Sequence, residues 1–126
     1  MSAKKVRGLV LVVDDVEANR MLAQAYLEMI GWKVEVVNQA DEALAFLKHT
    51  IPQAMLVDVR MPGISGDELA RLLRNDPLTQ DMRMVAYTAH AMPDEIASFL
   101  EAGFDEVLIK PALLDGMKRV LPIVNA

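Results

Sequence analysis

Five short apolar runs alternate with five stretches of helical periodicity, and this alternation restricts the chain to an α/β architecture more than any other feature. The runs are residues 9–13, Lys33 to Val37, Ala54 to Val57, Met84 to Tyr87 and Val107 to Ile109. Runs rich in branched residues and bounded by polar ones read as strands buried on both faces of a parallel sheet. Between them, Ala18, Leu22, Ala25 and Met29 recur at helical spacing from about Val16 to Ile30, with Gly31 as a C-terminal cap. Ala43, Leu44 and Leu47 mark a second helix that ends before Pro52. Leu69, Leu72 and Leu73 mark a third, stopped near Asn75-Asp76-Pro77. Pro93 suits the first turn of a fourth helix carrying Ile96, Phe99 and Leu100, with Gly103 past its end. Leu113, Met117, Val120 and Val124 mark a fifth, weakened by Gly116 and frayed by Pro122. The pattern is (βα)₅, and it predicts a doubly wound sheet with helices on both faces and right-handed crossovers.

Four of these runs end abruptly in a chemically active residue. LVLVV precedes Asp14-Asp15, AMLV leads to Asp58, MVAY precedes Thr88, and VLI precedes Lys110. Ligands bind at the carboxyl edge of an open parallel sheet, so one sheet would gather three carboxylates, a hydroxyl and an ammonium in one crevice. Adjacent carboxylates repel, and one of them holds a proton unless a cation intervenes. Oxygen-only donors with no His or Cys nearby in sequence suit Mg²⁺, which shares its shell readily with a phosphate. Lys110 supplies a positive charge for a phosphoryl oxygen. A carboxylate between a metal and a lysine can act as a nucleophile, and phosphoryl transfer needs little beyond positioning and charge neutralisation. Each fragment taken alone has a plainer meaning. Asp14-Asp15 reads equally as a helix cap and its neighbour, and Asp58 before Arg60-Met61-Pro62-Gly63 as a turn aspartate. Their joint placement favours the phosphoryl site.

With 126 residues, 53% of them hydrophobic, the chain is sized for one domain, 1–126, with a sizeable core. It has no cysteine, which excludes disulfides and thiolate metal sites. A net charge of −5 argues against gripping nucleic acid. No apolar run approaches a membrane span, and Met-Ser-Ala-Lys-Lys-Val-Arg lacks a secretory signal's apolar stretch, so a cytoplasmic protein is expected. The nine methionines read as core filler.

The segments LVLVVDD, LVDVRMPGISG, VAYTAHAM and AGFDEVLIKPA together resemble the response-regulator receiver domains of two-component signalling. The resemblance spans about residues 7–124, and it extends in the first helix to receivers of hybrid histidine kinases and single-domain regulators. It implies a flavodoxin-like five-stranded sheet in the order 2-1-3-4-5, which sets strands one and three side by side. It implies that Asp58 accepts a phosphoryl group from a histidine kinase or a histidine phosphotransfer protein. Asp14, Asp15, Asp58 and the backbone carbonyl of Arg60 would hold Mg²⁺, while Thr88 and Lys110 would contact the phosphoryl oxygens. It further implies a signalling switch rather than a metabolic enzyme, with dimerisation on phosphorylation as a common property. No effector domain is expected in this chain.

One position departs from the family. An aromatic ring usually stands three residues before the lysine, and here that position is Val107. Valine has neither the ring nor the polar tip, so the sequence predicts a receiver that relays phosphate or signals through another face. Arg60 and His90 flank the mouth and read either as groups tuning acyl-phosphate lifetime or as solvated rim residues. Tyr87 alternates to the side opposite Thr88 and reads as core, and Trp32 falls at the far edge of the sheet. Two other classes compete. A pseudo-receiver used only for protein binding usually lacks an acidic residue or the lysine, and none is missing here. A phosphatase with an aspartyl-phosphate intermediate usually has a second carboxylate two residues past the nucleophile, where this chain has Arg60. A flavin or nucleotide carrier would need a glycine-rich loop after the first strand, and there is none.

Overall fold

A computed structural model of the chain describes residues 3–89 and 91–123; His90 and Val124 lie outside the described residues. Strands and helices alternate as β1 (Lys4–Val13), α1 (Glu17–Ile30), β2 (Lys33–Val37), α2 (Ala40–Leu47), β3 (Thr50–Asp58), α3 (Gly66–Arg74), β4 (Arg83–Thr88), α4 (Pro93–Ala102), β5 (Glu106–Ile109) and α5 (Leu114–Val120). The five strands are parallel in the order β2-β1-β3-β4-β5. Among the described residues no helix is long and apolar enough to cross a membrane.

The central strands carry apolar side chains on both faces because both faces are covered. Val10, Val12, Ala54, Leu56, Val85 and Tyr87 pack with Ala23 and Leu27 of α1 and with Met117 and Val120 of α5. Leu11, Val13, Met55, Val57, Met84 and Ala86 face the other way, toward Ala43 and Leu47 of α2 and Leu69 and Leu73 of α3. Period-two alternation thus divides one apolar run between two cores.

The strands are longer than their apolar runs. β1 begins at Lys4 and β3 at Thr50, and these extensions pair with each other through Lys4↔Thr50 and Val6↔Pro52. The register slips between Val6 and Val10. There Gly8 takes a φ of 75°, accessible to glycine without strain, and its N–H donates to Gln53 Oε1 at 2.7 Å. Pro52, expected as a breaker beyond α2, lies inside β3. Pairing with β4 starts only at Ala54↔Arg83, so the proline stands where β3 has a neighbour on one side, a position that tolerates a missing donor. α5 starts one residue late: Leu113 is its exposed N-cap rather than a buried face residue. The methionines also divide. Met55, Met61, Met82, Met84 and Met117 fill the core, whereas Met21, Met29 and Met92 are exposed, because helical phase turns the first two away from the buried Ala23 and Leu27.

Arg74 closes the amino end of the sheet. From the last turn of α3, its guanidinium donates to the carbonyls of Gly103 (2.8 Å), Gln80 (2.8 Å) and Met82, and to Asp105 Oδ2 at 3.0 Å. The same Asp105 oxygen accepts the Met84 N–H at 2.8 Å. One side chain therefore ties α3 to the starts of β4 and β5. Arg74→Ala is expected to cost about 2 kcal/mol, because it strips charged donors from several partners at once. Urea unfolding checks this, and a loss below about 0.5 kcal/mol would show that water replaces the guanidinium freely.

Candidate functional site

The register sets the site. β1 and β3 are neighbours with Val13 opposite Val57, so the next residues, Asp14 and Asp58, emerge side by side. β3 then pairs Asp58 with Tyr87, and β4 pairs Thr88 with Ile109, which brings Thr88 and Lys110 to the same edge. The Lys110 N–H donates to the Thr88 carbonyl at 2.7 Å, and the Lys110-Pro111 bond is cis.

Three carboxylates converge. Asp14, Asp15 and Asp58 each offer an oxygen within 4.8 Å of the others. Asp14 is fully buried, Asp58 is 5% exposed, and Asp15 is open to solvent. Lys110 Nζ sits 2.8 Å from Asp14 Oδ2 and 3.5 Å from Asp58 Oδ2, so one ammonium serves two buried carboxylates. Asp14 is further fixed by the Val16 N–H, which donates to Oδ1 at 2.9 Å, and by Arg20, which donates to its carbonyl at 2.9 Å. The first contact makes Asp14 the turn residue that launches α1, so its cap-like role and its place in the cluster coexist. Asp58 Oδ1 accepts the Arg60 N–H at 3.0 Å.

Burial dominates the titration of Asp58 and pushes its pKa up to about 6, against the lowering effects of the Arg60 N–H and the Lys110 charge. Asp14 and Asp15 push in the same direction as burial. The cluster thus carries more negative charge than Lys110 offsets. An all-oxygen donor set with surplus negative charge is the chemistry that a hard divalent cation relieves.

The loop after Asp58 is held at both ends. Gly66 approaches so closely that an added Cβ would lie 2.6 Å from Val59 Cα and 2.7 Å from the Asp58 carbonyl oxygen. Its N–H donates to the Val59 carbonyl, and Ser65 Oγ caps α3 by accepting the Glu68 N–H. At the other end Arg60 reaches across the mouth to Glu95 of α4, with Nη2 to Oε2 at 3.3 Å. Arg60 is therefore exposed at the rim but ion-paired. Sequence spacing held no sign of this partner, 35 residues away.

Tyr87 combines two roles. It is buried in the core as expected, yet its ring centroid lies 5.0 Å from Lys110 Nζ and its hydroxyl accepts the Ala112 N–H at 3.4 Å. Alternation placed the ring opposite Thr88 but could not show that Lys110, just past the end of the neighbouring β5, reaches over it. Trp32 is at the other edge, buried, with Nε1 donating to the Leu121 carbonyl at 2.8 Å. Val107 is half-buried and packs against the core shared by α2 and α3.

Comparison with known proteins gives the class. A family model of the response regulator receiver domain matches residues 10–121. The chain is 36% identical over 114 residues to the sensor histidine kinase AruS of Pseudomonas aeruginosa, covering 89% of this chain and 11% of that protein. It is 35% identical over 115 residues to the sensor histidine kinase RcsC of Salmonella typhi, covering 91% of this chain and 12% of the kinase. The phosphate regulon transcriptional regulatory protein PhoB of Rhizobium meliloti is 34% identical over 102 residues, 81% of this chain and 45% of PhoB. The chain thus spans a small fraction of the two kinases and under half of PhoB. Among solved structures, the chemotaxis protein CheY4 of Vibrio cholerae superposes with a TM-score of 0.84 at 25% identity, covering 92% of this chain and all of CheY4. The receiver domain of a Pseudomonas aeruginosa sensor histidine kinase, solved with a magnesium ion coordinated in its active site cleft, gives 0.83 at 26%, covering 92% of this chain and 95% of that one. This chain belongs to the response regulator receiver domain family of two-component signalling.

Proposed function

We propose that this receiver domain is a Mg²⁺-dependent phosphoacceptor in the cytoplasm, with Asp58 as the residue phosphorylated. The observation that carries this role is the single Lys110 ammonium shared between Asp14 and Asp58 inside a three-carboxylate cluster. The arrangement leaves carboxylate charge in excess of the one cation beside it.

Asp14, Asp15, Asp58 and the Arg60 carbonyl would hold Mg²⁺. When bound, the ion supplies positive charge to offset the carboxylates and the incoming phosphoryl oxygens. A carboxylate oxygen of Asp58 attacks phosphorus in line with the P–N bond of a phosphohistidine, on a histidine kinase or a phosphotransfer protein. The P–O bond forms as P–N breaks, and the imidazole nitrogen keeps the electron pair and takes up a proton. Lys110 balances charge on the phosphoryl oxygens, and Thr88 offers them a hydroxyl donor. In the reverse sense of signalling, water attacks the phosphorus of the acyl phosphate, P–O breaks, and Asp58 regains its carboxylate as phosphate leaves. The attacking group must be ionised, and Mg²⁺ would favour that form by opposing the burial that raises the Asp58 pKa.

Intact mass after incubation with acetyl phosphate and Mg²⁺ tests this role. One phosphoryl adduct is expected, absent without metal. A protein that gains no adduct under these conditions would be a receiver fold used only for binding.

A further inference from the structure

We propose that Arg60 couples the state of Asp58 to the amino end of α4 by exchanging its ionic partner. The coupling rests on the phosphoacceptor role of Asp58 proposed above. A continuous polar chain supports it. The Arg60 N–H donates to Asp58 Oδ1 at 3.0 Å, Arg60 Nη2 contacts Glu95 Oε2 at 3.3 Å, and Glu95 Oε1 accepts the Met92 N–H at 3.0 Å. Met92 is the N-cap of α4. One residue therefore senses the acceptor carboxylate with its backbone and holds the capping carboxylate of α4 with its side chain.

The helix at the end of this chain is easily biased. Of the ten residues of α4, only Ala102 is buried, at the end away from the site. An element with so little buried surface opens or shifts at small cost. Glu95 fastens its first turn, satisfying an N–H that would otherwise lack a helical partner. Val107, by contrast, has no polar group and is packed into the core, so it cannot carry a polar signal along β5.

Phosphorylation changes the anions that Arg60 can choose between. Asp58 goes from a carboxylate to an acyl phosphate with more charge and three further acceptor oxygens. The Arg60 side chain is 67% exposed and free to turn. Guanidinium pairs with phosphoryl oxygens in a fork of two hydrogen bonds, and the phosphoryl group carries more charge than the Glu95 carboxylate. Arg60 leaves Glu95 for the phosphoryl group, and the first turn of α4 loses this link to the loop after Asp58. An exposed ion pair biases an equilibrium by about two- to fivefold, which fits a helix that shifts in population rather than locking.

Glu95→Gln separates capping from pairing, because glutamine still accepts the Met92 N–H but carries no charge for Arg60. The measurement is nitrogen–proton NMR of wild type and variant with beryllofluoride and Mg²⁺ as the phosphoryl mimic. In the wild type, the Asp58 amide, the Arg60 Nε–H and the amides of residues 94–96 are all expected to shift on addition. In Glu95→Gln the Asp58 and Arg60 signals should shift as before, while the displacement of residues 94–96 is at least halved. An undiminished displacement in the variant, or an Arg60 side-chain signal that stays still in the wild type, overturns the coupling and leaves the phosphoacceptor role standing. An Asp58 amide that does not respond in either protein overturns both.

Discussion

Lys110→Ala is expected to destabilise the metal-free protein by about 3 kcal/mol near neutral pH. The Lys110 side chain is 12% exposed, and its ammonium sits 2.8 Å from the fully buried Asp14 and 3.5 Å from Asp58. Removing one member of a buried pair leaves the other charge without compensation, and that penalty exceeds the net worth of the pair itself. Two conditions should reduce the loss. Mg²⁺ at the proposed site would replace the missing positive charge, so the deficit should narrow with metal. Acid also narrows it: Lys110 lowers the pKa of Asp58 in the wild type, so without it Asp58 keeps its proton to higher pH, and below about 6 the carboxyl is neutral and needs no partner. Urea unfolding in chelator, in Mg²⁺ and at both pH extremes gives the comparison. A loss under about 1 kcal/mol near neutral pH would mean that water, not the lysine, neutralises the cluster.

Asp58→Asn should act in the opposite direction, stabilising the metal-free protein by about 3 kcal/mol near neutral pH. The carboxyl titrates at about 6 in the fold against 3.8 when free. Between these values the folded state holds a proton that the unfolded state has lost, so wild-type stability declines as pH rises through the window. Asparagine has no such proton, so its advantage is absent below 3.8, grows across the window and is complete above about 6. It also keeps an oxygen for the Arg60 N–H, so that bond need not be lost. The variant should in turn gain little from Mg²⁺, having one anionic donor fewer. Thermal unfolding across the pH range reads both effects. A variant no more stable than the wild type above pH 6 would contradict the strained cluster.

The site was legible in the sequence because burial and chemistry leave the same mark. Strands covered on both faces must be apolar throughout, so the polar residue that ends each run marks the sheet's edge: Asp14, Asp58, Thr88 and Lys110. Strand order was not written in the periodicity and came with the family resemblance; the pairings of β1 with β3 and of β4 with β5 agree with it. What spacing could not show was held by the backbone or by long-range contact. Lys4 to Val6 and Thr50 to Pro52 do not read as core strand, yet they pair along the sheet. The Arg60–Glu95 bridge joins a loop to a helix that neither one's neighbours announce. The reach of Lys110 over the Tyr87 ring depends on the fold of the chain after β5. Three exposed methionines broke the expectation of core filler, because composition counts residues without saying which helix face they occupy.

The central claim is that Asp58 itself becomes the acyl phosphate. Borohydride reduces an aspartyl phosphate to homoserine, so treatment after incubation with acetyl phosphate and Mg²⁺, followed by peptide mapping, reads the position directly. Homoserine at position 58, and at no other aspartate, is the predicted result. Homoserine at Asp14 or Asp15, or an unmodified position 58 in protein that had gained a phosphoryl group, would contradict it.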